Sequence, residues 1–510
     1  MAAFQTNLEW NRWIRPVFEF GENEIELKKS ILRLTVLKHM KINADKWDNH
    51  CQAIDEILKT IEQGVKKFAN ENFKGLKILG YVKQGSAQEG LKIENALEFD
   101  CKLLFDINQM ITSEVRLRNS RDVDLLKLEV KNAENLMFRY QWIYDLEIFE
   151  TGKDGKYYIN TKHLQERVFK IIINKTRHLI NDHLEAIGRQ EYTMQQSIKP
   201  PTVGIDLTLD KETVMEDVYE TFSGFVLQAA RIPSTPMQEL HIDIVPALVL
   251  YDDEISLEGN DSKCSVYAVM KWKNSLTPSE NQYIWRKCSS GYEGFIFGQE
   301  QLDSSQLYMM TACRIVKSWI HGRKYELKSL RSVLESYHLK TACLHLMCML
   351  KVDQTNTGNI TIYGVRQALG YYIYFLNMCI RYNLLPHFFY GNPNLQKLFP
   401  QCTFGQERIM KNLFANINSC AMYMATNEYG KVVHDLRGSF ATECELDKNM
   451  LKKIHKLLNI QVFFGFKCST MFLEEKFNYK QLYIVVMLIF IGIGVVYILY
   501  CACYKIFMLM

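Results

Sequence analysis

The sequence predicts an α+β protein of two lobes, a mixed β-sheet lobe followed by a helical lobe, with one membrane-spanning helix near the C-terminus. Three observations carry this. Short apolar runs bounded by turn residues lie at 76–82, 98–107 and 239–250, apolar residues recur at helical spacing from about 301 to 470, and 482–503 carries no charge. The composition agrees, since 48% hydrophobic and 23% charged residues over 510 positions exclude a disordered chain. Only 10 prolines and 26 glycines exclude collagenous and proline-rich classes. Lys and Arg number 61 against 57 Asp and Glu, so any basic face has to be local.

Taken in order, Ile25, Leu27, Ile31, Leu32, Leu34, Val36 and Leu37, then Ile54, Ile57, Leu58, Ile61 and Val65, recur near helical spacing. They predict one or two long helices in an N-terminal segment, 1–70, that leads into a catalytic lobe at 71–300. Lys28, Lys29, Arg33, Lys38, Lys41, Lys46, Lys59, Lys66 and Lys67 decorate these helices. A solvated face is the ordinary explanation of such charge, and a nucleic-acid face the sharper one. LKILGYV at 76–82 and EFDCKLLFDI at 98–107 read as strands around a loop containing Gly85, Ser86 and Gly90. Residues 110–200 read as mixed, with helical stretches at about 121–135 and 162–188 before the breakers Pro200 and Pro201. ELHIDIVPALVL at 239–250 is a further strand, and 301–470 forms the helical lobe.

The 14 cysteines are scattered without zinc-finger spacing, which predicts reduced thiols and no zinc. The N-terminal MAAFQTNLEWNRWIRPVFEF lacks the apolar core of a secretory signal. Leu482 to Cys503 differs: LYIVVMLIFIGIGVVYILYCAC is 22 uncharged residues. At the helical rise it spans about 33 Å, enough to cross a bilayer. Lys480 and Lys505 bracket it, and Tyr483, Tyr497 and Tyr500 lie near its ends, where amphipathic rings favour the interface. The expectation is a C-terminal anchor with the catalytic lobe in the cytosol, which leaves the sequons at Asn174 and Asn359 unmodified. Cys501 and Cys503 are candidates for palmitoylation, though ordinary membrane-buried cysteines are the simpler reading.

Chemistry concentrates at three places. Glu98-Phe99-Asp100 sets two carboxylates at i and i+2, and on a strand that spacing puts both on one face with Phe99 on the other. Like charges so placed repel unless a cation lies between them. Ser86, twelve residues before Glu98, follows Gly85 in a small loop whose N–H groups and hydroxyl suit phosphate oxygens. Asp243 stands between Ile242 and Ile244 in an apolar strand, where a lone carboxylate is costly without a partner. Gly-Ser and Glu-x-Asp are each common by chance, but a phosphate loop followed by three acids on two strands is what two-metal phosphoryl transfer requires.

In these residues the chain resembles the cyclic GMP-AMP synthase (cGAS)-like receptors and Mab-twenty-one proteins of the nucleotidyltransferase superfamily, over about residues 65–470. Gln84-Gly85-Ser86, Glu98-Phe99-Asp100 and His241 to Leu248 look like its catalytic motifs. Trp285-Arg286 resembles its Trp-Arg motif, Lys317 in CRIVKSW its phosphate lysine, Ser336 to Thr341 its SYHLKT helix, and LLPHFFYGNPNLQ at 384–396 a later helical signature. The resemblance implies a bilobed nucleotidyltransferase fold and an enzyme making a cyclic dinucleotide from ATP and GTP with Mg²⁺ or Mn²⁺. Glu98, Asp100 and Asp243 would be catalytic metal ligands, and Gly85, Ser86, Arg286, Glu293, Lys317, Ser336 and Tyr337 nucleotide contacts.

Tyr337 offers a ring for a purine, and Ser336 a hydroxyl for the adjacent phosphate or sugar. Lys317 offers a point charge, and Arg286 a fork. A buried helix tyrosine and solvent-facing cations are the plain alternatives. Around Glu293 the sequence GYEGF departs from the family pattern. Where the vertebrate DNA sensor of the family carries a zinc-binding insertion, this chain reads FGQEQLDSSQLYMMTAC, so double-stranded RNA stays open beside DNA as the activator of an innate-immune sensor. Asp353 to Gly364 looks like a calcium loop but ends in Gly rather than a bidentate Glu. The competing readings are a catalytically inactive, membrane-anchored interaction protein of the Mab-twenty-one type, and nucleotide transfer to another acceptor.

The anchor yields a direct test. Deleting residues 479–510 should move the protein from the membrane to the soluble fraction with its chemistry intact, and protease outside sealed membranes should digest the catalytic lobe. A protected lobe, or glycan on Asn174, would show the orientation to be reversed.

Overall fold

The structure is a computed structural model that describes residues 12–33, 44–93, 98–117, 124–186, 193–199, 202–208, 239–257, 260–271, 282–298, 302–323, 325–351, 360–406 and 410–458. The run 482–503, Lys38, Lys41 and Asn359 lie outside the described residues. Among the described residues no helix is long and apolar enough to cross a membrane.

The fold is mixed α+β. Its sheet comprises β1 (Leu76–Gln84), β2 (Glu98–Ile107), β3 (Thr112–Arg116), β4 (Leu125–Val130), β5 (Phe149–Thr151), β6 (Tyr157–Ile159), β7 (Thr193–Lys199), β8 (Thr202–Thr208), β9 (Glu239–Leu257), β10 (Asn260–Met270) and β11 (Trp285–Cys288). The order is β1-β2-β9-β10-β11-β4-β6-β5, with β3 on β4 and the β7–β8 hairpin joined to β9. Only β2 and β9 among these pairs run parallel, and their register matches Asp100 with Asp243. β9 outruns the expected 239–250 because its second half forms a long antiparallel ribbon with β10.

The helices used below are α1 (Ile25–Arg33), α2 (Ala44–Asn72), α3 (Gly85–Gln88), α4 (Ala133–Arg139), α5 (Lys170–Ala186), α6 (Ser290–Gly298), α7 (Ser304–Gly322), α8 (Ser336–Lys351), α9 (Val365–Arg381), α10 (Ser419–Asp435) and α11 (Lys448–Leu457). The stretch 121–135, expected to be helical, contains strand β4 and only the start of α4. Leu125, Leu126, Leu128 and Val130 are all buried there, and a short run buried on both faces has no period that separates strand from helix.

One face of the sheet is covered by α2 and α5. Ile54, Ile57, Leu58, Ile61, Val65 and Ala69 recur every three or four residues along α2 and join Phe99, Cys101, Leu103, Phe105 and Ile107 of β2 in one core. The turn after α2 needs Gly75, whose φ is +90° and whose missing Cβ would stand 2.5 Å from the Tyr140 ring. On the other side α7, α8, α9, α10 and α11 form a second core. Several of the basic residues of α1 and α2 are locally paired, Lys29 with Glu26 at 2.7 Å and Lys66 with Glu62 at 2.5 Å.

Residues 12–33 do more than lead into the sheet lobe. Trp13 belongs to the sheet core, whereas Phe18, Phe20, Leu27 and Ile31 pack on the helical core. This strap is held by its backbone: Ile14 N–H donates to the Ala87 carbonyl (3.0 Å) and Glu19 N–H to Thr311 Oγ1 (3.2 Å). The buried Arg314 donates to the Val17 carbonyl, with its guanidinium 3.9 Å from the Phe18 ring centroid. Among the described residues ten cysteines are free thiols, and Cys444 is disulfide-bonded, unlike the expected reduced state.

Just before α1 the strap carries Glu24, whose two oxygens accept from the Val365 and Arg366 N–H groups at 2.7 Å each, at the start of α9. These are orphan donors at the positive end of a helix dipole. Glu24→Ala should therefore cost about 1–2 kcal/mol and lower Tm in thermal denaturation, with Glu24→Gln intermediate. An unchanged Tm in Glu24→Ala would show that water replaces the carboxylate at no cost.

Candidate functional site

β2 and β9 bring the carboxylate strands together. Phe99 and Ile242, each 0% exposed, point into the sheet core, so Asp100 and Asp243 share the opposite face as Cα partners. Glu98 pairs with His241 in the same ladder, and the Glu98 side chain lies outside the described residues. On its other edge Asp243 faces Gly204 of β8.

β1 runs antiparallel to β2 and ends at Gln84 opposite Asp100, which delivers Gly85 and Ser86 to the carboxylates. Gly85 has φ +76°, and a Cβ there would stand 2.2 Å from Asp100 Oδ2. Glycine is thus required twice, by conformation and by the close approach of the acid. The chain then makes the single helical turn α3, closed by Glu89 N–H to the Gly85 carbonyl (3.1 Å).

A cleft with about 280 Å³ of open space lies between this turn and the helical lobe. Gly85, Ser86 and Asp100 line it from the sheet side, and Lys317, Ser336 and Tyr337 from the helical side. Six sequence-expected residues therefore meet in one place. Lys317 Nζ donates to the Leu91 carbonyl (3.2 Å), and burial lowers the pKa of its ammonium.

Arg286 and Glu293, expected as nucleotide contacts, are not among the residues lining this cleft. Arg286 Nε donates to Asp124 Oδ2 (3.2 Å), and Lys411 pairs with the other oxygen. Burial pushes the Asp124 carboxyl up, but Lys411 and Arg286 outweigh it and hold it below the usual range. Glu293 is buried and accepts from Lys340 Nζ (2.6 Å) and Ser289 Oγ (3.2 Å). Here an isolated motif match named the residue but not its partner.

Sequence reasoning assigned no role to Lys340 and Glu89, which also line the cleft. Lys340 Nζ donates to Glu89 at 2.9 Å as well as to Glu293. One ammonium between two carboxylates leaves a negative charge over. Burial raises the Glu89 pKa, whereas in Glu293 the same burial is outweighed by Lys340 and Lys102, which hold it below the ordinary range. The signal for Lys340 was its place three and four residues after Tyr337 and Ser336, on their side of the helix.

Tyr337 is held at its hydroxyl by His387. Burial, reinforced by Lys411, drops the His387 pKa to about 3, so its imidazole is neutral. Phe389 N–H donates to Nδ1 (3.1 Å), which places the ring proton on Nε2, facing Tyr337 Oη at 3.1 Å.

Among the described residues the grouping of His and acids with metal-ligand proximity is Glu147, Glu150 and His163, with ligand atoms within 4.8 Å of one another. These are not the strand acids, and their groups are engaged: Arg167 binds Glu147 (2.8 Å), Tyr283 binds Glu150 (2.7 Å), and His163 Nδ1 meets the Glu147 carbonyl (2.9 Å).

No protein-family model matches the chain. No curated protein matches it either. Among solved structures, that of CdnC from E. coli MS115-1 with ATP is similar at 10% identity and a TM-score of 0.39, over 84% of this chain and 96% of that one.

Gly85→Ala tests the close approach. The left-handed conformation alone costs about 1–2 kcal/mol for an L-residue, and the added methyl has to displace the Asp100 carboxylate. Tm should fall and Mn²⁺ binding weaken several-fold in titration. Unaltered Mn²⁺ affinity would separate Asp100 from any cation site.

Proposed function

We propose that the chain is a divalent-metal-dependent nucleotidyltransferase that binds a nucleoside triphosphate in the cleft between β2, β9 and α8, and that its product is a cyclic dinucleotide. The observation that carries this reading is the pairing of Asp100 with Asp243 on adjacent parallel strands, with the Gly85-Ser86 turn packed on Asp100.

The donor set suits the metal. Asp100 and Asp243 offer hard carboxylate oxygens from neighbouring backbones, the chemistry that Mg²⁺ or Mn²⁺ takes, and Glu98 follows in the same ladder. A bound divalent ion supplies charge neutralisation at the triphosphate and a more acidic attacking hydroxyl. The protein's own residues position the reactants. The Gly85 conformation lets the backbone approach the phosphates, the Ser86 hydroxyl donates to a phosphate oxygen, and Lys317 neutralises its charge. Tyr337 stacks on the base, an interaction worth about 1–3 kcal/mol. Neutral His387 donates to the Tyr337 hydroxyl, so that grip is insensitive to pH across the physiological range.

In this reading residues 482–503 anchor the enzyme to an intracellular membrane with the cleft in the cytosol. A double-stranded nucleic acid, RNA or DNA, switches it on in innate immunity.

The experiment is incubation of the protein with labelled ATP and GTP, Mg²⁺ or Mn²⁺, and a panel of nucleic acids. A nucleotide product should appear, and Glu98→Ala, Asp100→Ala or Asp243→Ala should each reduce it by about 10²–10³-fold or more, the scale on which loss of a preorganised electrostatic contact acts. Turnover retained in the Asp variants would overturn the two-metal assignment, and no product under any condition would favour the inactive interaction protein.

A further inference from the structure

Three helical elements converge on one ammonium at the edge of the cleft. Glu89 closes the turn α3, Glu293 lies in the first turn of α6, and Lys340 lies one turn into α8. The side chains of Glu89, Lys340 and Glu293 are 3%, 13% and 8% exposed, so these contacts are made away from water, where they resist screening. Lys340 has a further contact. Its Nζ lies 5.3 Å from the centroid of the Tyr337 ring, over the ring face.

From this geometry we propose that Lys340 is a positioning residue: clamped by Glu89 and Glu293, it covers one face of Tyr337, sets the ring's orientation for the incoming base, and ties that ring to the Gly85-Ser86 turn. The proposal rests on the nucleotide-binding reading and deepens it. Tyr337 is then gripped at both ends, by Lys340 over the ring and by His387 at the hydroxyl. Lys340 is distinguished from Lys317 by its partners. An anion drawing Lys340 toward itself has to take it from two buried carboxylates, whereas Lys317 Nζ donates to the neutral Leu91 carbonyl. Glu293 belongs to the same device, since it holds Lys340 without lining the cleft.

Two ligands separate positioning from phosphate binding. Equilibrium binding to the full chain with Mg²⁺ is measured for a non-hydrolysable ATP analogue, which has a base, and for inorganic tripolyphosphate, which has none. Lys340→Met should weaken the analogue by about tenfold or more, the scale of a lost base stack, and tripolyphosphate by less than about twofold. In a Tyr337→Leu background the same substitution should have little further effect on the analogue, because Lys340 acts through the ring. Lys340→Met leaves two buried carboxylates facing each other, so Glu293→Gln is the second variant. It keeps the shape and the Lys340–Glu89 pair, and should show the same selectivity for the analogue at smaller size.

Equal weakening of both ligands would make Lys340 a phosphate ligand and overturn the proposal, as would undiminished binding of the analogue in both variants. A wild-type protein that binds neither ligand overturns the nucleotide reading and the proposal with it. That control tells the two failures apart.

Discussion

A β-strand gives alternate residues to opposite faces, and the site depends on how β2 and β9 use that division. Phe99 is sealed in the sheet core, edge-on to Trp13 at 4.9 Å and tilted against Trp47 at 6.3 Å. Removing such a ring costs about 3–5 kcal/mol, so β2 cannot turn over. Asp100 therefore stays on the front. Ile242 and Ile244 do the same for Asp243. A slip of one residue in either strand would bury a carboxylate and expose an aromatic or branched side chain, and the register is fixed for that reason. The acids are thus held on the front face by their apolar neighbours on the back.

Much of this was readable in the chain because it is local. The alternation in EFDCKLLFDI fixes which residues share a face, and β2 spans the expected 98–107. The apolar stripe of α2 announced a long helix in the same way. The adjacency of Asp100 and Asp243 was not local, since nothing in either segment states that β9 lies parallel to β2; motif order supplied that expectation and the ladder gives its register. The same limit explains Arg286 and Glu293. Their types suit nucleotide contacts, but their partners, Asp124 and Lys340, lie far off in sequence and take up their charges. The strap was also illegible, because Trp13 and Phe18 read simply as apolar residues near one end, with no sign that they belong to different cores.

Two polar ties join the walls of the cleft, and their value is geometric more than energetic. Buried ion pairs offset their desolvation only in part, so the Glu89–Lys340–Glu293 group is poor grounds for extra stability. What it does is remove alternatives: Lys340 satisfies both carboxylates only when α3, α6 and α8 stand at one separation. The strap works behind the same turn, where Ile14 binds the Ala87 carbonyl of α3 and Arg314 holds Val17 to α7. The Gly85-Ser86 turn is thus fastened from behind and from the side, which leaves its front open to the cleft.

The cleft divides its charges by lobe. Asp100 and Glu89 come from the sheet side, and Lys317 and Lys340 from the helical side. A polyphosphate carrying a divalent cation complements both walls at once, with metal toward the carboxylates and phosphate oxygens toward the ammonium groups. A bare polyphosphate meets Asp100 with no cation between them, and a bare cation leaves Lys317 facing only the Leu91 carbonyl. Within this division the ammonium groups are unequal, because Lys340 is already spent on two glutamates while Lys317 faces a neutral carbonyl. In the proposed reading the phosphate charge then falls to Lys317 and the Gly85-Ser86 turn, while Lys340 holds Tyr337 in place.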